Sequence, residues 1–158
     1  MRYWMLRNLK SNGFSENELV RVYKTMIRPV ADYGCVVYHS CLTIEQDKEI
    51  EKLQNHALKC IYGPDISAAK MRERAGLETL RGRREVLTDK FAAKLSRDPA
   101  FAYRFPRKTA RQSSRRSVQA EEFKEFQPRC DRLKNSPFYY YRRRLNGKKG
   151  KDYGINDL

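Results

Sequence analysis

The sequence predicts an all-α protein: a small helical bundle, then a basic linker and a short helical tail. Three observations carry that expectation. Apolar residues recur three and four apart over most of the first hundred positions, which is the period of one helix face. Two of these runs are preceded by a Ser or Thr with Glu or Gln three residues later, the pattern of a reciprocal helix cap. Glycine or proline closes the runs, as it does where a helix must stop.

In chain order, Ser15-Glu16-Asn17-Glu18 opens a helix bearing Leu19, Val22, Tyr23, Met26 and Ile27. Pro29 should bend or end it near Arg28, because proline lacks the N–H that the next turn needs. Val30, Tyr33, Val36, Val37 and Tyr38 then fit either a second helical stretch or a strand, and Tyr33-Gly34 reads as a tight packing point. Thr43-Ile44-Glu45-Gln46 caps a helix with Ile50, Leu53, Ala57, Leu58 and Ile61 on one face, stopped by Gly63-Pro64. A short helix from Ser67 to Ala75 ends at Gly76. Thr79 caps a third long helix, with Leu80, Leu87, Phe91 and Leu95 as its apolar face, finishing at Asp98-Pro99. The organisation expected is a bundle over 1–101, a flexible basic linker over 102–117, a basic aromatic-rich tail over 118–146 and a disordered end over 147–158. Within the tail, Val118 to Phe126 is a short amphipathic patch, and Ser136-Pro137 is a turn or helix start.

Charge is unevenly distributed. The 158 residues hold 34 Lys and Arg against 19 Asp and Glu, a formal +15. Residues 1–101 contribute 18 basic and 13 acidic side chains, whereas 102–151 contribute 16 basic and only 4 acidic. So concentrated an excess repels itself unless polyanions neutralise it, which points to RNA or DNA held through phosphates. The competing readings are a solvated surface and attraction to acidic lipids. No apolar run is long enough to span a membrane, and the opening Met1-Arg2-Tyr3-Trp4-Met5 does not read as a secretory signal. The expectation is an intracellular protein, nuclear or cytoplasmic. Cys35, His39, Cys41, His56 and Cys60 suggest zinc, but their spacings match no common zinc module, so reduced and partly buried thiols are expected, with no metal and no cofactor.

Four stretches, taken together, resemble a known family. They are Met5-Leu6-Arg7-Asn8-Leu9-Lys10 with Gly13-Phe14-Ser15; Leu19-Val20-Arg21-Val22-Tyr23 leading into Ile27-Arg28-Pro29-Val30-Ala31-Asp32-Tyr33-Gly34; Tyr38-His39-Ser40-Cys41-Leu42-Thr43 through Ile50-Glu51-Lys52-Leu53-Gln54 and Ala57-Leu58; and Ala75-Gly76-Leu77-Glu78-Thr79-Leu80 with Arg83-Arg84-Glu85. Their order and spacing are similar to the region after the catalytic palm in LINE-type (non-LTR retrotransposon) reverse transcriptases, with a looser echo from Arg132 to Asn146. Tyr38 stands where that family usually has tryptophan, and His56 where it usually has a basic residue. The resemblance implies a thumb-like helical domain that grips a template–primer duplex while chemistry proceeds on palm aspartates that bind two metals. It also implies, as a partner, a reverse-transcriptase palm in a parent polyprotein. No Asp-Asp pair occurs in this sequence, so a non-catalytic role is expected.

Within that frame the candidate nucleic-acid contacts are Arg81, Arg84, Arg115, Arg116, Tyr139, Tyr140, Arg142, Arg143 and Arg144. Arg81 and Arg84 share a helix face from which guanidinium groups can bridge phosphate oxygens, while Arg83 points elsewhere. Ion pairing with Glu78 or Glu85 is the alternative. In Tyr139-Tyr140-Tyr141-Arg142-Arg143-Arg144, rings can stack on unpaired bases while arginines neutralise phosphates. There the alternative is that Phe138 and Tyr141 dock onto the bundle and the arginines merely solvate that element. Glu51 and Gln54 are expected to hydrogen-bond a neighbouring helix end. A second functional class is a helical interaction module whose apolar faces bind another chain or self-associate.

Overall fold

The computed structural model describes residues 3–107, 123–124 and 127–147. Those residues are mostly helical. Their elements are α1 (Tyr3–Ser11), α2 (Glu16–Val22), α3 (Arg28–Asp32), α4 (Cys35–Tyr38), α5 (Ile44–Tyr62), α6 (Ala68–Ala75), α7 (Leu80–Leu95), α8 (Asp131–Lys134) and α9 (Pro137–Leu145). Among the described residues the only β-type pairing is a single antiparallel bridge between Arg107 and Phe123. None of these helices is long and apolar enough to cross a membrane.

Both expected caps form. Ser15 Oγ accepts from the Glu18 N–H while Glu18 accepts from the Ser15 N–H at 2.9 Å, and Thr43 and Gln46 exchange the same pair of bonds ahead of α5. Each satisfies two backbone donors that a helix start would otherwise leave bare. Gly63 and Gly76 stop α5 and α6 with positive φ. An element boundary falls at Arg28, where Pro29 was expected to bend or end the helix. The chain widens into a π-helical turn at Tyr23–Ile27, in which the Arg28 N–H reaches back to the Tyr23 carbonyl. Helix α3 then begins with Pro29 in its first turn, where a missing N–H costs nothing. The ambiguous stretch beyond is helical on both sides of Gly34. At φ +66 Gly34 sits where side chains are strained, yet a Cβ there would meet nothing within 4 Å. The glycine serves the left-handed turn, not close packing, and its neighbour Tyr33 is 86% exposed.

The chain divides into two compact units: the part up to Cys35 with Thr43–Arg84, and Val36–Leu42 with the part from Glu85 onward. The boundary therefore falls inside α7 and not at residue 101. Residues assigned to the linker take part in the second unit: Pro99–Arg104 form a 3-10 helix and Phe105 is buried. The remainder of the expected linker, 108–117, most of the Val118 to Phe126 patch and the end from 148 lie outside the described residues.

The first unit has an aliphatic core of Leu6, Leu19, Ile27, Leu58, Ile61 and Met71 around Tyr23, each large side chain contributing about 1.5–3 kcal/mol by leaving water. Its polar groups close helix ends. Lys10 Nζ donates to the Ile61 carbonyl at 2.7 Å and Lys24 Nζ to that of Ala75 at 3.2 Å, placing cations where the helix dipole is negative. Glu51 accepts from the Leu80 N–H at 3.0 Å, the helix-end role expected of it. Buried Gln54 accepts from the Tyr23 hydroxyl and donates to the Glu78 carbonyl, both at 2.8 Å.

The second unit is built on rings. Phe105 meets Phe123 at 5.8 Å and Phe138 at 6.0 Å, and Tyr141 meets Phe138 and Phe91, each at 6.0 Å. All are edge-on or tilted, the geometry that the ring quadrupole favours. Ala92 and Leu95 of α7 complete this core. The face of α7 that is buried is Leu80, Arg84, Thr88, Ala92 and Leu95, turned from the Leu80, Leu87, Phe91 and Leu95 face expected. Phe91 stays 38% exposed. A buried arginine and threonine break the apolar pattern on which a sequence reading of that helix depends.

Candidate nucleic-acid interface

Three arginines stand early in α7, and acids of the same unit meet all of them. Arg81 lies 3.7 Å from Asp47, and Arg84 is bonded to the other oxygen of that carboxylate. The two do share a face, as their spacing requires. Arg83 turns elsewhere, with Nε donating to Asp32 at 2.7 Å. Arg84 is completely buried. The phosphate contact anticipated for it gives way to an interior ion pair, because a charge in low dielectric must be compensated. Asp47 and Asp32, contributed by α5 and α3, are joined by Glu78, 3.9 Å from Arg83, which is the local ion pair that sequence proximity had suggested. Arg81 alone of the three stays on the surface. Arg115 and Arg116 lie outside the described residues.

The Tyr-Arg segment forms α9. Tyr139 and Tyr141 are both buried although i and i+2 lie on nearly opposite sides of a helix, and Phe138 and Tyr141 dock in the aromatic core. Tyr140 is half-buried, its hydroxyl 3.3 Å from His39 Nε2. Tyr139 and Tyr140 therefore do not present open faces to a base in this conformation. The three arginines are half-exposed and have protein partners. Arg144 grips Asp89 with two nitrogens, one at 2.7 Å, and this hydrogen-bonded carboxylate raises the guanidinium pKa further above its usual range. Arg143 lies 6.0 Å over the Tyr139 ring, and Arg142 donates to the Lys124 carbonyl at 3.3 Å.

What the sequence reading missed lies on the outer face of α7 and just past it. Lys90, Lys94 and Arg97 are exposed at i, i+4 and i+7, a spacing legible in the sequence had charge been sorted by helix face. Beyond them Tyr103 is 70% exposed, with the Arg104 guanidinium 5.0 Å over its ring and 5.2 Å from that of Phe138.

Two other features bear on the alternatives. The first unit contains an apolar hollow of about 270 Å³, lined by Tyr23, Ile27, Arg28, Val30, Leu53 and Leu80. Of its lining residues Val30 is exposed, and elsewhere in the unit so are Met26 and Tyr33. As for zinc, Cys35, His56 and Cys60 fall in the first unit and His39 and Cys41 in the second. Among the described residues no three His, Cys, Asp or Glu side chains are grouped to hold a metal ion.

No protein-family model, no curated protein and no solved structure matches this chain.

Proposed function

We propose that this chain is a non-catalytic nucleic-acid-binding module, holding RNA or DNA through phosphate contacts without reading sequence. The role is that of the thumb-like grip on a template–primer duplex which its resemblance to the post-palm region of LINE-type reverse transcriptases implies. The observation that carries this reading is the charge of the second unit. Its described residues include twelve Lys and Arg against four acids. Of those acids, Asp89 is engaged by Arg144, Asp131 by Lys134, and Asp98 caps the Ala100 N–H. An excess this large on one small unit attracts polyphosphate and releases condensed counterions when phosphates are neutralised.

The test is a salt titration of binding to an RNA–DNA hybrid. Affinity should fall linearly in log–log form, with roughly 0.7–0.9 added to the slope for each phosphate neutralised. A flat response, or no complex at low salt, overturns the reading. The apolar hollow, with exposed Val30 in its lining and Met26 and Tyr33 exposed elsewhere in the unit, favours a second reading, a helical module that binds another chain or itself. Molecular size that rises with protein concentration and ignores added nucleic acid would select it.

A further inference from the structure

Resting on the nucleic-acid reading just given, we infer that Lys90, Lys94 and Arg97, together with Tyr103 and Arg104, form a site for single-stranded nucleic acid. The Tyr-Arg helix that the sequence singles out is mostly committed to the protein's own core. Lys90 and Lys94 of α7, by contrast, and Arg97 in the turn just past it are exposed, and their spacing sets them opposite buried Thr88, Ala92 and Leu95. At about 1.5 Å of rise per residue they form a stripe roughly 10 Å long. None of the three makes an ion pair among the described residues, since the acids of the unit are occupied elsewhere. Glu85 has its own interactions and, five residues before Lys90, lies off the three-and-four spacing of the stripe.

A cation near a helix C-terminus also favours the helix dipole, which is a sufficient reason for Lys94 and Arg97 to be basic. It does not account for Lys90, more than a turn earlier, or for the aromatic group next in the chain. The 3-10 helix starts at Pro99, two residues after Arg97, and at about 2 Å per residue it sets Tyr103 roughly 10–15 Å from that arginine. Arg104, between the rings of Tyr103 and Phe138, ties the exposed ring to the aromatic core and adds a fourth cation. A row of cations followed by a supported, solvent-facing ring suits a strand whose phosphates follow the helix and whose unpaired base stacks at the end. A duplex offers no free base face, so the ring selects the single-stranded form.

The experiment uses the full chain with a fluorescent oligothymidylate of about 20 nucleotides and a duplex of the same length, a span that covers common site sizes. Lys90→Gln/Lys94→Gln/Arg97→Gln should lower the single-strand salt slope by about 2, three contacts at roughly 0.7 each. Arg129→Gln/Arg132→Gln, which removes two other exposed cations of the unit, should change it by less than half as much. Tyr103→Ala should weaken oligothymidylate binding about tenfold and leave duplex binding nearly unchanged. Melting temperatures of all variants establish that they fold. If the wild-type chain binds neither probe, the nucleic-acid reading falls and this site with it. If the wild type binds and the triple variant keeps its slope, or Tyr103→Ala leaves oligothymidylate binding unchanged, the site is wrong while the general reading stands.

Discussion

The two units use charge in opposite ways. Among the described residues, the first holds fourteen Lys and Arg with ten acids, the second twelve with four. In the first, cations cap helix ends (Lys10 and Lys24) or meet carboxylates (Arg81, Arg83 and Arg84). Its aliphatic side chains supply the core. In the second, rings supply the core, and the few acids are too scarce to match the cations around them. Basic composition alone therefore does not locate a binding surface. Arg84 and Lys90 sit six residues apart on one helix; one is buried and paired with the partly exposed Asp47, and the other faces solvent.

The comparison breaks most visibly if the buried pair of the first unit is disrupted. Asp47→Ala takes the paired carboxylate from the buried Arg84 guanidinium and should destabilise the protein by about 3–5 kcal/mol in urea unfolding. Arg84→Met, which removes the buried charge and keeps the bulk, should cost far less. Equal losses from both would show that the pair contributes as ordinary packing. In the second unit, Arg144→Gln should remove about 1 kcal/mol, the scale of a partly exposed charge-assisted bond. It should hardly move the salt slope of nucleic-acid binding; a fall in affinity with unchanged stability would return Arg144 to the interface.

A smaller effect separates the units by pH. Burial raises the Tyr23 hydroxyl well above the ordinary value of 10.0, so the folded state keeps its proton where the unfolded chain loses it. The resulting stability is complete below pH 10 and declines as pH rises from there toward the folded value. Alkaline unfolding followed by urea should show this slope, and Tyr23→Phe should reduce it. A slope unchanged in the variant would assign it to another group.

Much of the fold was legible because its signals are local. Ser15 with Glu18 and Thr43 with Gln46 satisfy backbone donors three residues away, and Gly63 and Gly76 need only their own φ, so neighbouring residues suffice to specify them. Glu51 and Gln54 were readable as helix-end partners for a similar reason: polar groups on an otherwise apolar helix face need somewhere to bond. The candidate site was legible only in composition. Whether an arginine is a contact or a strut depends on which acid approaches from a distant part of the chain. Asp47 reaches Arg84 across 37 positions and Asp89 reaches Arg144 across 55.

By itself, then, the sequence determined the helical class, most caps and stops, and the concentration of positive charge toward the C-terminal half. Only tertiary structure decided that α7 would be shared between two units, that Arg84 would be interior, and that Phe138 and Tyr141 would be core. The physical reason is range. The caps at Ser15 and Thr43 act within one turn, whereas burial and charge compensation depend on the surfaces that the folded chain brings together.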